Sequence, residues 1–316
     1  MERQVRRNVR GMEDIMEWIT VLRRAIAYME AHLLEEINAA DVAEELHISS
    51  FYLQKGFKIM TGYSVGEYIR CRRLYLAALD ILSGKEKVIE TAYKYRYDTP
   101  ESFTKAFTRF HGISPVQARK DASAIHTFLP LKISVEIRGG EEMDYVLEKV
   151  CGFRVIGLER TFSFENTYEE LPKFWEAFRR TYGDVLFRGK KPENALEQAV
   201  CDYHIGEYGV CIDEGQKEAE EGLRYMIAGA YTGGAVPEGM SVFAFPDMEW
   251  VRFRCCGRMP HALQDVNTKI YREWLPGNPD YELAMAADVE WYERGDMDAA
   301  DYRSEIWLPV RRKESR

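Results

Sequence analysis

Polar side chains able to read DNA bases occur twice in this sequence, at matching positions. Gln54 and Lys55 lie in one helical segment, and Lys105 lies fifty residues after Lys55 in another. In the major groove of DNA, glutamine pairs with adenine and lysine with guanine, and a glutamate such as Glu101 can accept from cytosine. These residue types predict a surface that contacts base edges, if two helices present them.

A second group of side chains, near the end of the chain, suits a different ligand. Glu290 stands two residues before Tyr292, and Glu305 two residues before Trp307. Alternate residues of a β-strand lie on the same face, so each carboxylate would lie beside an aromatic ring. Such a pair attracts an organic cation by charge and by a cation–π interaction of roughly 0.5–2 kcal/mol per ring. The alternative interpretation places both glutamates on a solvent-facing sheet surface.

The elements that would position the first group form an internal repeat. Residues 43–65 and 92–115 match at an offset of fifty residues, with Gly62 at the place of Gly112. Each copy reads as a short helix, a tight turn and a second helix, which is the helix-turn-helix pattern. Two copies predict two recognition helices, each able to enter a major groove. The positions predicted to face DNA are Phe51, Gln54, Lys55 and Lys58 in the first helix and Glu101, Ser102, Thr104, Lys105 and Arg109 in the second.

The composition of the 316 residues, 46% hydrophobic and 30% charged, is typical of a water-soluble globular protein of about two domains. No apolar run approaches the roughly 20 residues of a membrane-spanning helix, and the basic first residues lack the apolar stretch of a secretory signal. The six cysteines show neither metal-ligand spacing nor a disulfide pattern, so we expect no metal site and a cytoplasmic location. The vicinal Cys255 and Cys256 leave a redox or soft-metal sensor as an alternative, although no third ligand stands at a suitable spacing.

Charge is divided unevenly along the chain. Residues 1–121 contain 19 Lys and Arg against 17 Asp and Glu, whereas residues 122–316 contain 24 against 35. The net charge of −9 therefore comes from the second part of the chain. Between Lys55 and Arg73, five basic residues accompany one acid, Glu67. This asymmetry predicts a DNA-facing first domain and a second domain with another role.

The first domain resembles the DNA-binding domain of the AraC-type transcription regulators along its whole length, and its segment FTKAFTRFHGISPVQAR is similar to that family's signature. The resemblance implies base-reading roles for Phe51, Gln54 and Lys55 in the first recognition helix and for Glu101, Ser102, Thr104 and Lys105 in the second. His47 and Arg96 stand where each turn of the family usually has glycine. If these two residues adopt a positive φ, each costs roughly 1 kcal/mol or more; otherwise the turns differ from those of the family.

The second half of the chain contains a weaker repeat of its own. A strand that includes Phe153 precedes an amphipathic helix through Trp175, and a strand that includes Trp250 precedes a helix through Trp274. A strand, a helix and two further strands, twice over, predict an α+β domain with a pseudo-twofold internal repeat. The segment LPLKISVEI alternates like a strand and is predicted to begin this domain. A groove between the two copies is the natural place for a ligand.

The end of the chain, with EWLPGNPDYELAMAADVEWYE and DYRSEIWLPV, resembles the GyrI-like effector-binding domain, and the resemblance covers nearly all of 127–313. In that family, glutamates on the last two strands hold lipophilic cations together with the aromatic residues around them. The resemblance assigns this role to Glu290 and Glu305, with Trp307 beside the latter. Trp175, Tyr208 and Tyr225 are predicted cavity walls, with burial in the core as the alternative.

The chain is thus predicted to be a multidomain protein. Its parts are an N-terminal tail (1–14), an all-α double helix-turn-helix DNA-binding domain (15–121), a linker (122–126) and an α+β GyrI-like effector-binding domain (127–316). We expect a transcription regulator, by resemblance an activator, whose partners are promoter DNA, a small lipophilic cation and RNA polymerase. No cofactor and no membrane association are expected.

Two alternatives belong to other functional classes. A small-molecule hydrolase could use the two glutamates as general acid and base. A binding module could sequester a drug or contact another protein, such as a topoisomerase. The sequence contains no nucleophile–base constellation, so the chain is predicted not to be an enzyme.

Overall fold

A computed structural model describes residues 18–133, 143–212, 222–278 and 280–313. The described residues up to 133 form one compact unit, and those from 143 onward form another. No helix in these ranges is long and apolar enough to cross a membrane.

The first unit is helical, as predicted. Its helices are α1 over 18–31, α2 (Ala39–Leu46), α3 (Ser50–Thr61), α4 (Val65–Ser83), α5 (Val88–Lys94), α6 (Pro100–His111) and α7 (Pro115–Ala118). The Asn38 side chain accepts hydrogen bonds from the first backbone amides of α2, and Ser49 accepts from the amide of Tyr52 in α3. These caps favour helix starts at α2 and α3, because they satisfy backbone donors that have no partner within the helix.

Two hydrophobic clusters form the core of this unit, one for each helix-turn-helix. Leu22, Leu53 and Phe57 belong to the first cluster, and Phe103 and Phe107 belong to the second. Helix α4 contributes residues to both clusters, so it links the two motifs.

Both helix-turn-helix turns keep the left-handed conformation without glycine. His47 has φ 57° and Arg96 has φ 67°. A side chain with a Cβ is strained in this region by about 1 kcal/mol or more. Both turns therefore adopt a conformation that favours glycine, at a cost in stability.

The segment 125–133, which we call the strap, differs from the sequence-based prediction. Its residues 129–133 were predicted to begin the first strand of the second domain, but they form no strand. Phe128 is 9% exposed and belongs to the core cluster of the first helix-turn-helix, whereas Ile125 packs against the second cluster. The predicted boundary between residues 126 and 127 thus falls inside the first unit, because this apolar segment buries its side chains there.

Hydrogen bonds also fix the strap. Arg72 of α4 donates to the carbonyl oxygen of Phe128 and forms two bonds of 2.7 and 2.8 Å with the carboxylate of Glu30. The phenol of Tyr68 donates to the same carboxylate at 2.7 Å. Arg72 is 4% exposed, and its bidentate pairing joins α1, α4 and the strap.

The second unit is an α+β domain. Its strands are β1 (Tyr145–Val150), β2 (Phe153–Phe162), β3 (Tyr208–Ile212), β4 (Leu223–Ala230), β5 (Ser241–Phe245), β6 (Met248–Cys256), β7 (Tyr281–Leu283), β8 (Ala287–Tyr292) and β9 (Arg303–Arg312). Its helical segments are α8 (Thr167–Phe187), α9 (Ala195–Asp202), α10 (His261–Lys269), a π-helical turn (Ile270–Trp274) and α11 (Leu275–Gly277).

The strand order of the antiparallel sheet is β1-β6-β9-β8-β3-β4-β2-β5, with β7 paired to β9. Its middle six strands are arranged symmetrically about the β3–β8 pair. On either side of this pair, β9 corresponds to β4 and β6 corresponds to β2. The predicted pseudo-twofold repeat is therefore confirmed for this unit, and its axis passes between β3 and β8. Each repeat also adds a strand to the edge of the other, β1 beside β6 and β5 beside β2.

The sheet curves strongly. The ring of Trp250 in β6 lies 5.7 Å from that of Phe153 in β2, although four strands separate β6 from β2 in the sheet. Apolar residues from both repeats, including Val210, Met226 and Val289, fill this inner face. Helix α8 and the segment around Trp274 pack on the opposite, outer face.

Candidate DNA-binding surface and effector site

Helix α6 presents the predicted second reading surface. Thr99 caps its first turn, and Phe103 and Phe107 are fully buried. The outward positions predicted from the sequence are exposed except for Thr104, which is half-buried and donates its hydroxyl to the carbonyl of Pro100 at 2.7 Å. The exposed residues are Glu101, Ser102, Lys105 and Arg109. This helix can therefore offer both charged and hydroxyl groups to base edges and phosphates.

Helix α3 differs from its counterpart. Phe51 was predicted to face DNA, but it is 1% exposed in the structure, which contradicts a base-reading role. Burial of an aromatic ring stabilises the folded protein, so exposing the ring of Phe51 to contact DNA would be unfavourable. The phase of the helix is as predicted, since Leu53 and Phe57 are fully buried.

The polar residues of α3 make contacts within the protein. Gln54 donates its amide to the hydroxyl of Ser50 at 3.1 Å. The Lys58 ammonium lies 2.7 Å from the carboxylate of Glu67, and the Lys55 ammonium lies 5.6 Å from the ring centroid of Phe51. All three predicted polar residues are half-buried.

The two glutamates predicted to bind a cation lie on opposite faces of the sheet. Across β8 and β9, Glu290 is opposite Ile306, whereas Glu305 is opposite Trp291. Trp291 follows Glu290 in β8, and successive residues of a strand point to opposite faces. Glu290 therefore lies on the outer face, and Glu305 and Trp307 lie on the inner face, so the two carboxylates do not meet in one site.

Glu290 is the centre of a hydrogen-bonded cluster on the outer face. Its Oε2 atom accepts from the hydroxyl of Tyr292 at 2.7 Å and from that of Tyr225 at 2.9 Å. Trp175 of α8 donates its indole N–H to the Tyr225 oxygen at 2.9 Å. The ring of Trp175 lies 5.2 Å from that of Tyr292, edge to face. The structure thus brings together three of the predicted site residues and adds Tyr292.

Gly209 makes room for this cluster. It lies opposite Glu290 in the β3–β8 ladder, next to the pseudo-twofold axis. A Cβ atom at this position would lie 2.0 Å from the Tyr225 hydroxyl and 2.8 Å from Glu290 Oε2. The sequence alone gives no sign of this requirement, because it arises from a residue on a neighbouring strand.

Burial and the nearby carboxylate keep both phenols protonated. Burial is the larger cause and the charge of Glu290 the next, and together they raise the pKa of Tyr225 and of Tyr292 well above the usual value of a tyrosine. Neutral phenols are donors, so both can direct their protons to the carboxylate. The cluster therefore consists of one carboxyl group held by two phenol donors, with the ring of Trp175 against that of Tyr292.

Glu305 has a different environment. The Trp307 indole donates to its Oε2 atom at 2.7 Å, and the Arg252 guanidinium lies 3.7 Å from the same atom. Arg252 also lies 5.2 Å from the ring centroid of Trp307. The chain's own guanidinium thus occupies the place that the sequence analysis assigned to a cationic ligand.

Tyr208 and the vicinal cysteines are the remaining residues that the sequence singles out in this unit. Tyr208 lies on the inner face, with its ring 5.9 Å from that of Trp307. Cys255 is buried and Cys256 is exposed, so the vicinal pair does not present both thiols on one face of β6. Arg252 is not among the residues predicted from the sequence, because its only signal there is a basic residue within the alternating pattern of β6.

Two family models match this chain. Residues 143–311 match a model described as a GyrI-like small molecule binding domain. Residues 42–121 match a model described as a helix-turn-helix domain. The two matches fall within the two structural units.

Known proteins are similar to one or the other part. AarP, an HTH-type transcriptional activator of Providencia stuartii, is 30% identical over 116 residues, which are 37% of this chain and 86% of AarP. The transcriptional regulator Rob of Salmonella typhimurium is 30% identical over 120 residues, 37% of this chain, and the chain spans only 42% of Rob. A solved structure of a protein bound to tetraphenylphosphonium has a TM-score of 0.42 and 20% identity, covering 54% of this chain and 94% of that one.

Proposed function

We propose that this chain, which belongs to the family with a GyrI-like small molecule binding domain, is a transcription regulator whose DNA binding responds to a lipophilic cation. Its helix-turn-helix unit binds promoter DNA, and the Glu290 cluster binds the effector. It acts in the cytoplasm as an activator that contacts RNA polymerase, and it is not an enzyme. The similarity to AarP, an activator, supports the direction of regulation.

The DNA-binding part of the proposal rests on two complete helix-turn-helix motifs. Both are present with capped helices, left-handed turns and the linking helix α4. The exposed basic side chains of α6 can reach phosphates and bases. The match of residues 42–121 to a helix-turn-helix model supports the same conclusion.

The observation that carries the effector site is the pair of phenol hydrogen bonds to one oxygen of Glu290. These donors hold the carboxylate at a fixed point next to the pseudo-twofold axis, and the indole of Trp175 donates to the Tyr225 oxygen beside it. A cation with apolar substituents would gain charge pairing with Glu290 and cation–π attraction from the surrounding rings. The cluster lies where the two repeats meet, which is where the sequence predicts a ligand groove.

Glu305 is the weaker candidate for a cation. Its carboxylate already lies 3.7 Å from Arg252, which also covers the Trp307 ring. A cationic ligand would have to displace this guanidinium before it could contact either residue.

The test compares Glu290→Gln with the matched control Glu305→Gln in the full chain. Methyltriphenylphosphonium serves as the cationic probe and triphenylphosphine oxide as its neutral counterpart, both followed by titration calorimetry. Because glutamine keeps the shape and removes the charge, we expect Glu290→Gln to weaken cation binding by about 1.5–3 kcal/mol. Binding of the neutral compound should change little, and Glu305→Gln should leave both affinities nearly unchanged.

The regulatory link is tested with DNA. Duplexes enriched by the full chain from a random library are titrated with and without saturating cation, and the ratio of affinities gives the coupling free energy. We expect a change of about 5- to 150-fold, the usual range for such coupling. If Glu290→Gln loses affinity equally for the cation and for the neutral compound, the effector site is contradicted. If saturating cation leaves the affinity for DNA unchanged, simple sequestration of the cation is favoured.

A further inference from the structure

We propose that the two helix-turn-helix motifs are unequal, and that the second supplies most of the affinity and the base reading. The acidic surface of the first motif holds it away from the DNA backbone. This inference rests on the proposed DNA-binding function and names the residues that determine specificity within it. Lys105 and Arg109 of α6 are those residues, whereas their counterparts in α3 contribute little.

Charge divides the two motifs at the fifty-residue offset. Residues 35–61 contain five carboxylates and two lysines, whereas the equivalent residues 85–111 contain four carboxylates and six lysines and arginines. The first motif is therefore net negative and the second net positive. A protein's affinity for DNA depends strongly on the number of phosphates that its basic side chains neutralise.

The acidic side chains of the first motif lie where they would repel the phosphates of DNA. The first helix of a helix-turn-helix crosses the phosphates while the second enters the groove. In the first motif that helix is α2, where Glu44 and Glu45 are exposed and Asp41 is half-buried. Together with Tyr28 and His47 these residues line one shallow depression. Burial, and then the charges of four nearby carboxylates, raise the pKa of Tyr28 above its usual value.

The corresponding helix of the second motif has the opposite character. Lys85 and Lys87 are exposed at the start of α5. Lys94, near its end, pairs with Asp80 at 2.8 Å and does not add a free charge. Two lysines at the helix start are placed to meet phosphates as the backbone crosses α5.

The recognition helices differ in the same sense. Lys58 of α3 would have to break its 2.7 Å ion pair with Glu67 to contact DNA, and Gln54 would have to break its hydrogen bond with Ser50. Lys105 and Arg109 are exposed and form no ion pair with another described residue. Lys105 and Arg109 can thus contact DNA without giving up an ion pair.

The test uses Lys55 and Lys105, which occupy equivalent positions in the two motifs. Affinity of the full chain for its most enriched duplex is measured at several salt concentrations. We expect Lys105→Ala to weaken binding roughly tenfold, as for one lost base contact, and Lys105→Ala with Arg109→Ala to weaken it roughly 100-fold. The double change should also reduce the slope of log K against log salt by about 1–2. Lys55→Ala should change affinity by less than about threefold.

A second variant tests the acidic surface directly. Glu44→Gln with Glu45→Gln removes two exposed charges and no structural contact, so folding is preserved. We expect binding to tighten about threefold or more at low salt, and the gain to vanish at high salt because the repulsion is screened. Tighter binding would support the proposal, and unchanged or weaker binding would overturn the role of the acidic surface.

The outcomes separate this inference from the function on which it rests. Failure of the wild-type chain to enrich any duplex contradicts DNA binding itself. Enrichment of a duplex together with equal losses for Lys55→Ala and Lys105→Ala leaves DNA binding intact and overturns only the asymmetry. Footprints that cover a single groove-width in the wild type and extend to a second in Glu44→Gln with Glu45→Gln would give the strongest support.

Discussion

At the scale of single residues, the outer-face cluster depends on the absence of one side chain. Tyr225 and Tyr292 can both reach one oxygen of Glu290 because Gly209 leaves the space between β3 and β4 open. The chemistry of the site thus requires a glycine that itself has no functional group.

Gly209→Ala should disrupt this cluster, because the new methyl group would lie 2.0 Å from the Tyr225 oxygen. Overpacking of this kind destabilises a protein by about 1–3 kcal/mol, and we also expect binding of methyltriphenylphosphonium to fall at least tenfold. Thermal unfolding and calorimetry measure the two effects. Gly183→Ala in α8 is the control: its Cβ meets no atom within 4 Å, and helix propensity predicts a gain of about 1 kcal/mol. Normal cation binding by Gly209→Ala would contradict the proposed site.

His111 gives the first unit a predictable response to acid. Its ring nitrogens contact the Leu74 carbonyl at 3.1 Å and the backbone N–H of His126 at 3.1 Å, so the neutral ring is required. Burial lowers its pKa below the usual 6.5. The unfolded chain therefore takes up this proton first, and the stability due to His111 is present above about pH 6.5 and is lost as the pH falls toward the lowered pKa.

Hydrogen exchange of the α6 amides, corrected for intrinsic rates, should show this loss between pH 7.5 and 5.5. We expect His111→Gln, which has no titrating ring, to remove the pH-dependent part of the change. A pH response that is equal in both proteins would assign the effect to another group.

At the scale of elements, the strap packs against the core of the first unit although it is not helical. It contacts the core clusters of both helix-turn-helix motifs, and Arg72 ties its backbone to α1 and α4. The ring of Phe128 lies 5.2 Å from that of Tyr63 and 6.1 Å from that of Phe110. The spacing of the two recognition helices therefore depends on the strap as well as on α4.

Phe128→Ala should destabilise the first unit by about 3–5 kcal/mol, the usual cost of removing a buried aromatic ring. Leu129→Ala is a matched control on the next residue, since Leu129 is 64% exposed and its truncation should cost less than about 0.5 kcal/mol. Denaturant unfolding measures both changes. Similar values for the two variants would show that the strap does not pack as described.

At the scale of the whole molecule, the chain consists of two units with different charge and different tasks. Residues 1–121 are slightly basic and residues 122–316 strongly acidic. The division between the compact units follows residue 133 of the described chain. Fragments that respect this division should keep the properties of each unit.

A fragment of residues 1–133 should fold and bind DNA by itself, with an affinity that falls steeply between 50 and 200 mM salt, because phosphate contacts release counterions. A fragment that ends at residue 121 lacks the strap and should melt at least 5–10 °C lower, because it loses the burial of Phe128 and the Arg72 contact. Calorimetric melting and fluorescence anisotropy check the two statements. Equal melting temperatures would place the end of the first unit before the strap.

The sequence by itself determined the two classes of fold, the repeats and the chemistry of each half. The helical periodicity places Phe103 and Phe107 of α6 in the core, and Asn38 caps the start of α2. Both signals depend only on residues a few positions apart. Strand alternation likewise puts Glu290 with Tyr292 on one face. Local rules therefore fix which elements form and which side chains share an element's face.

Only the tertiary structure decided how these faces meet. The register between β8 and β9 separates Glu290 from Glu305, and alternation within each strand leaves that register open. Tertiary packing buries Phe51 and places Phe128 of the strap in the core of the first unit, because burial of apolar surface is favourable. Gly209 and Arg252 acquired their roles from residues on neighbouring strands and in distant sequence. Contacts between residues far apart in the chain follow from the global packing of elements, and that packing is not encoded at any single position.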